Sequence, residues 1–229
     1  MYKVNFYKGN YATRQSKANT DKAVAYVEHH FNSSSSNTAS YAVVVTGSNA
    51  SPTSKNWGRW YAKAVATFFG TQVAGDSGIL VGGWNGRGDG NLKHTKMPAI
   101  LLEPLFASNP QHADIIRSER GQTDLARILV ESIQRFFPNG GLIAFSVGHK
   151  YKESNANDRG ADLAGGGSEA DYAEKVLDKA AVMLEAIDRI GMARTIRVIH
   201  DDKVVFETEV DVDALVVWDP QRGLLNIPE

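Results

Sequence analysis

The chain has 229 residues, 42% of them hydrophobic and 22% charged, with a formal net charge of -1 and no cysteine. That length allows one sizeable α/β domain with its own core, and so small a charge argues against nucleic acid as the main ligand. Without cysteine, disulfides, thiolate-bound zinc and a cysteine nucleophile are excluded, so a metal site must use histidine and carboxylate, as open catalytic centres do.

In chain order, Val4 to Tyr7 predicts a short strand and Ala12 to Asn19 a short helix or turn. Ala23 to Val27 is an apolar strand pattern that runs into Glu28, His29, His30, Phe31 and Asn32. Neighbouring strand residues face opposite ways, so His29 and His30 cannot both point into one site. Tyr41 to Val45 predicts a third strand, and Ser54 to Phe69 has helical spacing of its apolar residues. Gly78 to Gly90 (GILVGGWNGRGDG) carries neither a phosphate-loop nor a dinucleotide pattern and reads as a loop with a substrate role.

Pro98 to Phe106 predicts a fourth strand, whose run AILL leads straight into Glu103. Asn109-Pro110 opens a helix, and Thr123 to Phe137 is an amphipathic helix closed by Pro138-Asn139-Gly140-Gly141. Leu142 to Val147 is a buried-strand pattern followed by Gly148 and His149. After a loop rich in Gly, Asn and Asp, Ser168 is the expected cap of a helix that starts with Glu169 and runs to Gly191. Thr195 to His200 and Lys203 to Val210 alternate at period two, as a hairpin does, and Ala214 to Trp218 suits one further strand. The expected organisation is a domain over 1–193 with a C-terminal β-hairpin extension, 194–229, packed on it.

Three apolar strands therefore end in an ionisable group: His30 (or His29), Glu103 and His149. If they lie parallel, their carboxyl ends line one sheet edge, where open α/β folds place their chemistry. Glu169 joins from a helix start, with Glu153 as its rival. Two histidines and a carboxylate form a recurring zinc set with one open position. Glu103 is hard to explain as structure, because a glutamate ending a buried run is costly without a partner. His94, His112 and His200 fall in loop, helix and hairpin patterns and read as structural or surface residues.

Four blocks carry a resemblance: Val147-Gly148-His149, Ser168-Glu169-Ala170, Val27 to Asn32 and Met97 to Asn109 (MPAILLEPLFASN), with Arg14 and Ala18-Asn19 ahead of the third. They resemble the zinc-dependent N-acetylmuramoyl-L-alanine amidases, the amidase-3 type of peptidoglycan hydrolase, over residues from about 1 to 190. The family runs these blocks first to fourth; this chain runs third, fourth, first, second, which reads as a circular permutation. Leu105 stands where the family has glycine, His29 where it has isoleucine, and the hairpin tail has no counterpart.

The resemblance implies a mostly parallel mixed sheet flanked by helices on both faces. It implies Zn2+ held by His30, His149 and Glu169, with His30 rather than His29 as ligand. It implies Glu103 as general base and proton donor, with zinc-bound water as nucleophile and the amide between N-acetylmuramic acid and L-alanine as substrate. The alternatives are a zinc peptidase acting on stem peptides and a catalytically silent scaffold with a binding role. The expected partner is peptidoglycan, with no nucleic acid or membrane and with the chain as a monomer. The first ten residues lack a signal-peptide core, so the expectation is cytoplasmic synthesis with action at the cell wall by phage-type release, as an endolysin, or export by another route.

Overall fold

A computed structural model of the chain describes residues 1–190, 195–200, 203–209, 217–219 and 224–226, with side chains up to residue 187. Two units separate, Met1–Glu185 and Ala186–Glu229. In chain order the first contains β1 (Tyr2–Phe6), α1 (Tyr11–Thr20), β2 (Ala25–His29), β3 (Tyr41–Thr46) and α2 (Pro52–Phe69). The short strands β4 (Gln72–Val73), β5 (Ile79–Val81), β6 (Gly83–Trp84) and β7 (Arg87–Gly88) follow, then a single 3-10 turn at Asp89–Asn91. β8 (Ala99–Glu103), α3 (Pro110–Arg117), α4 (Glu119–Phe136) and β9 (Gly141–Val147) follow, and α5 (Glu169–Ile190) runs from the first unit into the second. In the second unit β10 (Thr195–His200) pairs antiparallel with β11 (Lys203–Glu209), and β12 (Val217–Asp219) with β13 (Leu224–Asn226). The sequence-predicted strand over 214–218 begins in residues 214–216, which lie outside the described residues.

The main sheet has seven strands in the order β1-β9-β2-β8-β3-β4, with β5 also on β3. β1, β9, β2 and β8 are mutually parallel, whereas β3 runs antiparallel to β8. The side-chain alternation of strands sorts the core into two faces. On one, Ala18 of α1 packs with Tyr26, Val45, Ala99, Leu101 and Ala144. On the other, α2 comes so close that a Cβ at Gly58 would stand 3.0 Å from both Val44 Cγ1 and Ile79 Cγ2. Trp57 of α2 is fully buried there and donates from Nε1 to Ser132 Oγ of α4 at 2.9 Å. Among the described residues no helix is long and apolar enough to cross a membrane.

Local chemistry moves several boundaries. α4 starts at Glu119, not Thr123, because Ser118 Oγ accepts the Gly121 N–H and caps an earlier turn. α2 likewise begins at Pro52, with the Ser51 side chain accepting from Ser54 N–H and proline in the first turn. β8 stops at Glu103 rather than running to Phe106, since Pro104 offers no N–H to the ladder. Gly78 to Gly90 is not a plain loop: β5 joins the sheet, and β6 and β7 form a small two-stranded ribbon.

The tight α2 crossing makes a direct prediction. Gly58→Val should destabilise the protein by about 1–3 kcal/mol through overpacking. Urea unfolding of wild type and variant measures it, and an unchanged midpoint would show that the crossing has slack.

Candidate metal centre

β2, β8 and β9 end at one edge of the sheet, and His30, Glu103 and His149 stand at or just beyond their last residues. Residues two apart on a strand share a face, so Glu28 lies beside His30. Glu28 Oε1 accepts from His30 Nε2 at 2.9 Å, which aims Nδ1 at Glu169 Oε1, 3.0 Å away. His29 faces the other way. It is fully buried, neither ring nitrogen has a partner, and burial pushes its pKa down to about 3. A histidine so placed stays neutral and takes no part in the cluster.

His149 is positioned by its neighbours in the chain. A Cβ on Gly148 would fall 2.4 Å from Cε1 of the His30 ring, so only glycine lets the two rings approach. His149 itself adopts a left-handed φ of 60°, and its N–H donates to Tyr11 Oη at 3.1 Å. Its ring meets that of His30 edge to face with centroids 4.9 Å apart. Its Nδ1 is 3.0 Å from both carboxylate oxygens of Asp158, which leaves Nε2 3.3 Å from Glu169 Oε1.

Glu169 opens α5, where Ser168 Oγ accepts the Asp171 N–H. Its Oε2 accepts from Ala161 N–H at 2.8 Å, and a Cβ on Gly160 would lie 2.4 Å from its carboxyl carbon. Glu153, the rival from sequence, lies elsewhere: it borders Gly9 in a separate groove with Lys8, Lys17 and Arg159.

His30, His149 and Glu169 each offer one ligand atom, all within 4.8 Å of one another. The charges around them favour a cation. Burial alone would lower the pKa of His30, but hydrogen bonds to Glu169 and Glu28 outweigh it and raise it to about 10. Burial opposes the charge of Glu169 too, yet the two histidines bring its pKa down to about 2. In both histidines the outward nitrogen is held by a carboxylate, the arrangement that orients histidine ligands. The donor set therefore fits a divalent metal ion, which would stand in for the imidazolium protons between the same carboxylates.

Glu103 lies beside this cluster without joining it. Its Oε2 is shielded from solvent and has no hydrogen-bond partner. Burial raises its pKa, the His30 charge opposes the rise, and the Glu169 charge adds to it; the result is about 7. A carboxyl poised there can take and return a proton near neutral pH. The cleft that contains these groups has a volume of about 750 Å³ and is also lined by Tyr11, Asn32, Tyr41, Trp84 and Arg87.

Three supporting residues were not assigned a role from the residue pattern: Glu28, Asp158 and Arg14. Arg14 is fully buried in α1 and donates from Nη1 to Ser146 Oγ at 2.8 Å and to the Val147 carbonyl at 2.6 Å. Its Nη2 also donates to the Lys150 carbonyl. Ser146 donates to Glu28 Oε2 at 2.9 Å, and Asn91 Nδ2 to Glu28 Oε1. One buried network thus fixes the His30 ring and the backbone on both sides of His149. The signal for Glu28 was present in the sequence, as an acid two residues before His30 in an apolar run. Asp158 lies in an aperiodic loop and gave none. His112, read as structural, fits that reading: its Nδ1 accepts the Phe106 N–H, and its Nε2 lies 3.1 Å from Ser40 Oγ.

A family model described as N-acetylmuramoyl-L-alanine amidase, Amidase_3, matches residues 3–135. No curated protein matches the chain. Among solved structures, the chain is similar to the catalytic domain of CwlV, an N-acetylmuramoyl-L-alanine amidase from Bacillus (Paenibacillus) polymyxa var. colistinus. The identity is 25% and the TM-score 0.47, over 56% of this chain and 66% of that one. It is also similar to an N-acetylmuramoyl-L-alanine amidase from Clostridium difficile 630, at 25% identity and a TM-score of 0.49, over 58% of this chain and 67% of the other. The chain thus spans just under two thirds of the first of these structures.

Two measurements check the site as described. Glu28→Ala leaves a buried imidazolium without one of its two carboxylates and should cost about 3–5 kcal/mol of stability; urea unfolding of the metal-free protein decides it, and a cost near zero would dismiss the network. The Glu103 carboxyl has its folded-state pKa raised from 4.5 to about 7. Its contribution is present below 4.5 and is lost as pH rises through about 7. The metal-free wild type should therefore lose stability relative to Glu103→Gln across that window, and a pH-independent difference would contradict the burial of Glu103.

Proposed function

We propose that this chain, which belongs to the Amidase_3 family of N-acetylmuramoyl-L-alanine amidases, is a circularly permuted, zinc-dependent member that hydrolyses the amide between N-acetylmuramic acid and L-alanine in peptidoglycan. The observation that carries this reading is the meeting of His30, His149 and Glu169 beside the unpartnered Glu103. The family match ends at residue 135, so it takes in His30 and Glu103 and stops before His149 and Glu169. The two later residues nevertheless reach the same sheet edge, because β9 inserts between β1 and β2. A block moved along the chain but kept in its place in the sheet accounts for both facts.

His30, His149 and Glu169 would hold the ion. When bound, zinc supplies a Lewis acid and lowers the pKa of water toward 7. The residues of the chain do the rest. Glu28 and Asp158 hold the outward nitrogens of the two histidines, so that their inward nitrogens keep one direction. Glu103, deprotonated, takes a proton from the attacking water at its carboxylate. It returns that proton to the nitrogen of the departing L-alanine as the C–N bond breaks. Shielding of its Oε2 and the nearby Glu169 charge hold its pKa up at about 7.

The test uses wild type and Glu103→Ala, analysed for zinc and then incubated with purified peptidoglycan. Both should carry about one zinc per chain, and the substitution should lower amino-group release by roughly 10²–10⁴-fold. Amino groups freed from within the stem peptide, with the lactyl amide intact, would replace the amidase reading with a peptidase. A zinc-free, inactive wild type would leave a scaffold that has lost the chemistry.

A further inference from the structure

The ribbon formed by β6 and β7 borders the cleft. Gly83 pairs with Gly88 and Trp84 with Arg87, around a two-residue turn, Asn85-Gly86. Both turn residues have positive φ, 50° and 82°, the geometry that matches the twist of a tight hairpin. A Cβ on Gly83 would sit 1.7 Å from the Arg87 carbonyl oxygen, so the close pairing demands glycine there. The base is tied to the sheet and its surroundings: Gly82 N–H donates to the Thr46 carbonyl at 2.7 Å, and Ser48 N–H to Asp89 Oδ1 at 2.7 Å.

What this ribbon presents has little structural use. Trp84 is 62% exposed, the largest side chain so left among the described residues. Arg87 is exposed and makes no ion pair among the described residues. Both nevertheless line the cleft that contains His30, Glu103 and Glu169. The charge of Arg87 also reaches Glu103, where it favours the ionised carboxylate. An indole is a flat apolar surface suited to the C–H face of a pyranose ring, and a free guanidinium is a fork suited to a carboxylate.

Resting on the amidase reading, we propose that the ribbon is a substrate clamp, with Arg87 binding a free carboxylate of the stem peptide and Trp84 stacking on the adjoining sugar ring. The scissile amide joins a sugar substituent to a peptide, so a clamp beside it must meet both chemistries. Asn32 and Tyr41 line the same cleft.

The test measures binding to zinc-loaded Glu103→Ala, which holds substrate without turning it over. The probes are a disaccharide-peptide with free stem carboxylates, the same molecule with those carboxylates amidated, and the free peptide. Adding Arg87→Gln should weaken binding of the free-carboxylate ligand by roughly 10-fold or more and leave the amidated one unchanged. Adding Trp84→Ala should weaken both glycan-bearing ligands by about 10-fold and spare the free peptide. The unfolding midpoint should not move in either variant, since both side chains are at the ribbon tip. Variants that bind all three ligands as their parent does, or losses that ignore carboxylate and glycan, overturn the clamp. So does a parent that binds neither disaccharide-peptide. Amino-group release from peptidoglycan by wild type reads the amidase function separately: if release persists, the clamp alone falls.

Discussion

The contact between Glu28 and His30 is the interaction on which the site depends. It places a carboxylate and an imidazole two residues apart at the end of a central strand, both buried. Alone, such a pair would carry a large desolvation cost. The cost is offset because neither group is left with open hydrogen-bonding capacity: Ser146 and Asn91 satisfy Glu28, and Arg14 anchors Ser146. The same arginine binds the carbonyls on either side of the Gly148-His149 step. Two histidines from distant parts of the chain therefore answer to one network, and at Gly148 a side chain would run into the His30 ring.

That arrangement leaves a concentration of negative charge at the sheet edge. Glu28, Glu169, Asp158 and Glu103 surround two histidines, and three of the four acids are held ionised by their partners. Only Glu103 is pushed the other way, because it is shielded and unpaired. Two carboxylates beside one cluster thus acquire opposite tendencies from their surroundings: Glu169 is held charged, and Glu103 is pushed up to about 7. The environment, rather than the residue type, makes this division.

Much of this was legible in the sequence, for reasons that differ by residue. Apolar runs ending in His30, Glu103 and His149 marked three strands, and strand parity already required that only one of His29 and His30 face the site. The structure puts them on opposite faces, with His29 buried and neutral. Glu103 was conspicuous as a charge closing a buried run. The reversed direction of β3 was not legible, since strand composition does not encode polarity. The ribbon at Trp84 and Arg87 has the sequence signature of a loop, because two-residue strands have no periodicity to detect. Asp158 carries no sequence signal because its contact with His149 crosses an irregular loop, whereas Glu28 stands out as an acid inside an apolar run two residues before His30.

The most direct measurement is anomalous diffraction at the zinc edge from crystals of the zinc-loaded protein. One peak is expected, about 2.0–2.2 Å from His30 Nδ1, His149 Nε2 and a Glu169 oxygen, with Glu103 nearby but not bound. A peak in the groove beside Glu153, or none at all, would contradict a metal centre assembled from His30, His149 and Glu169.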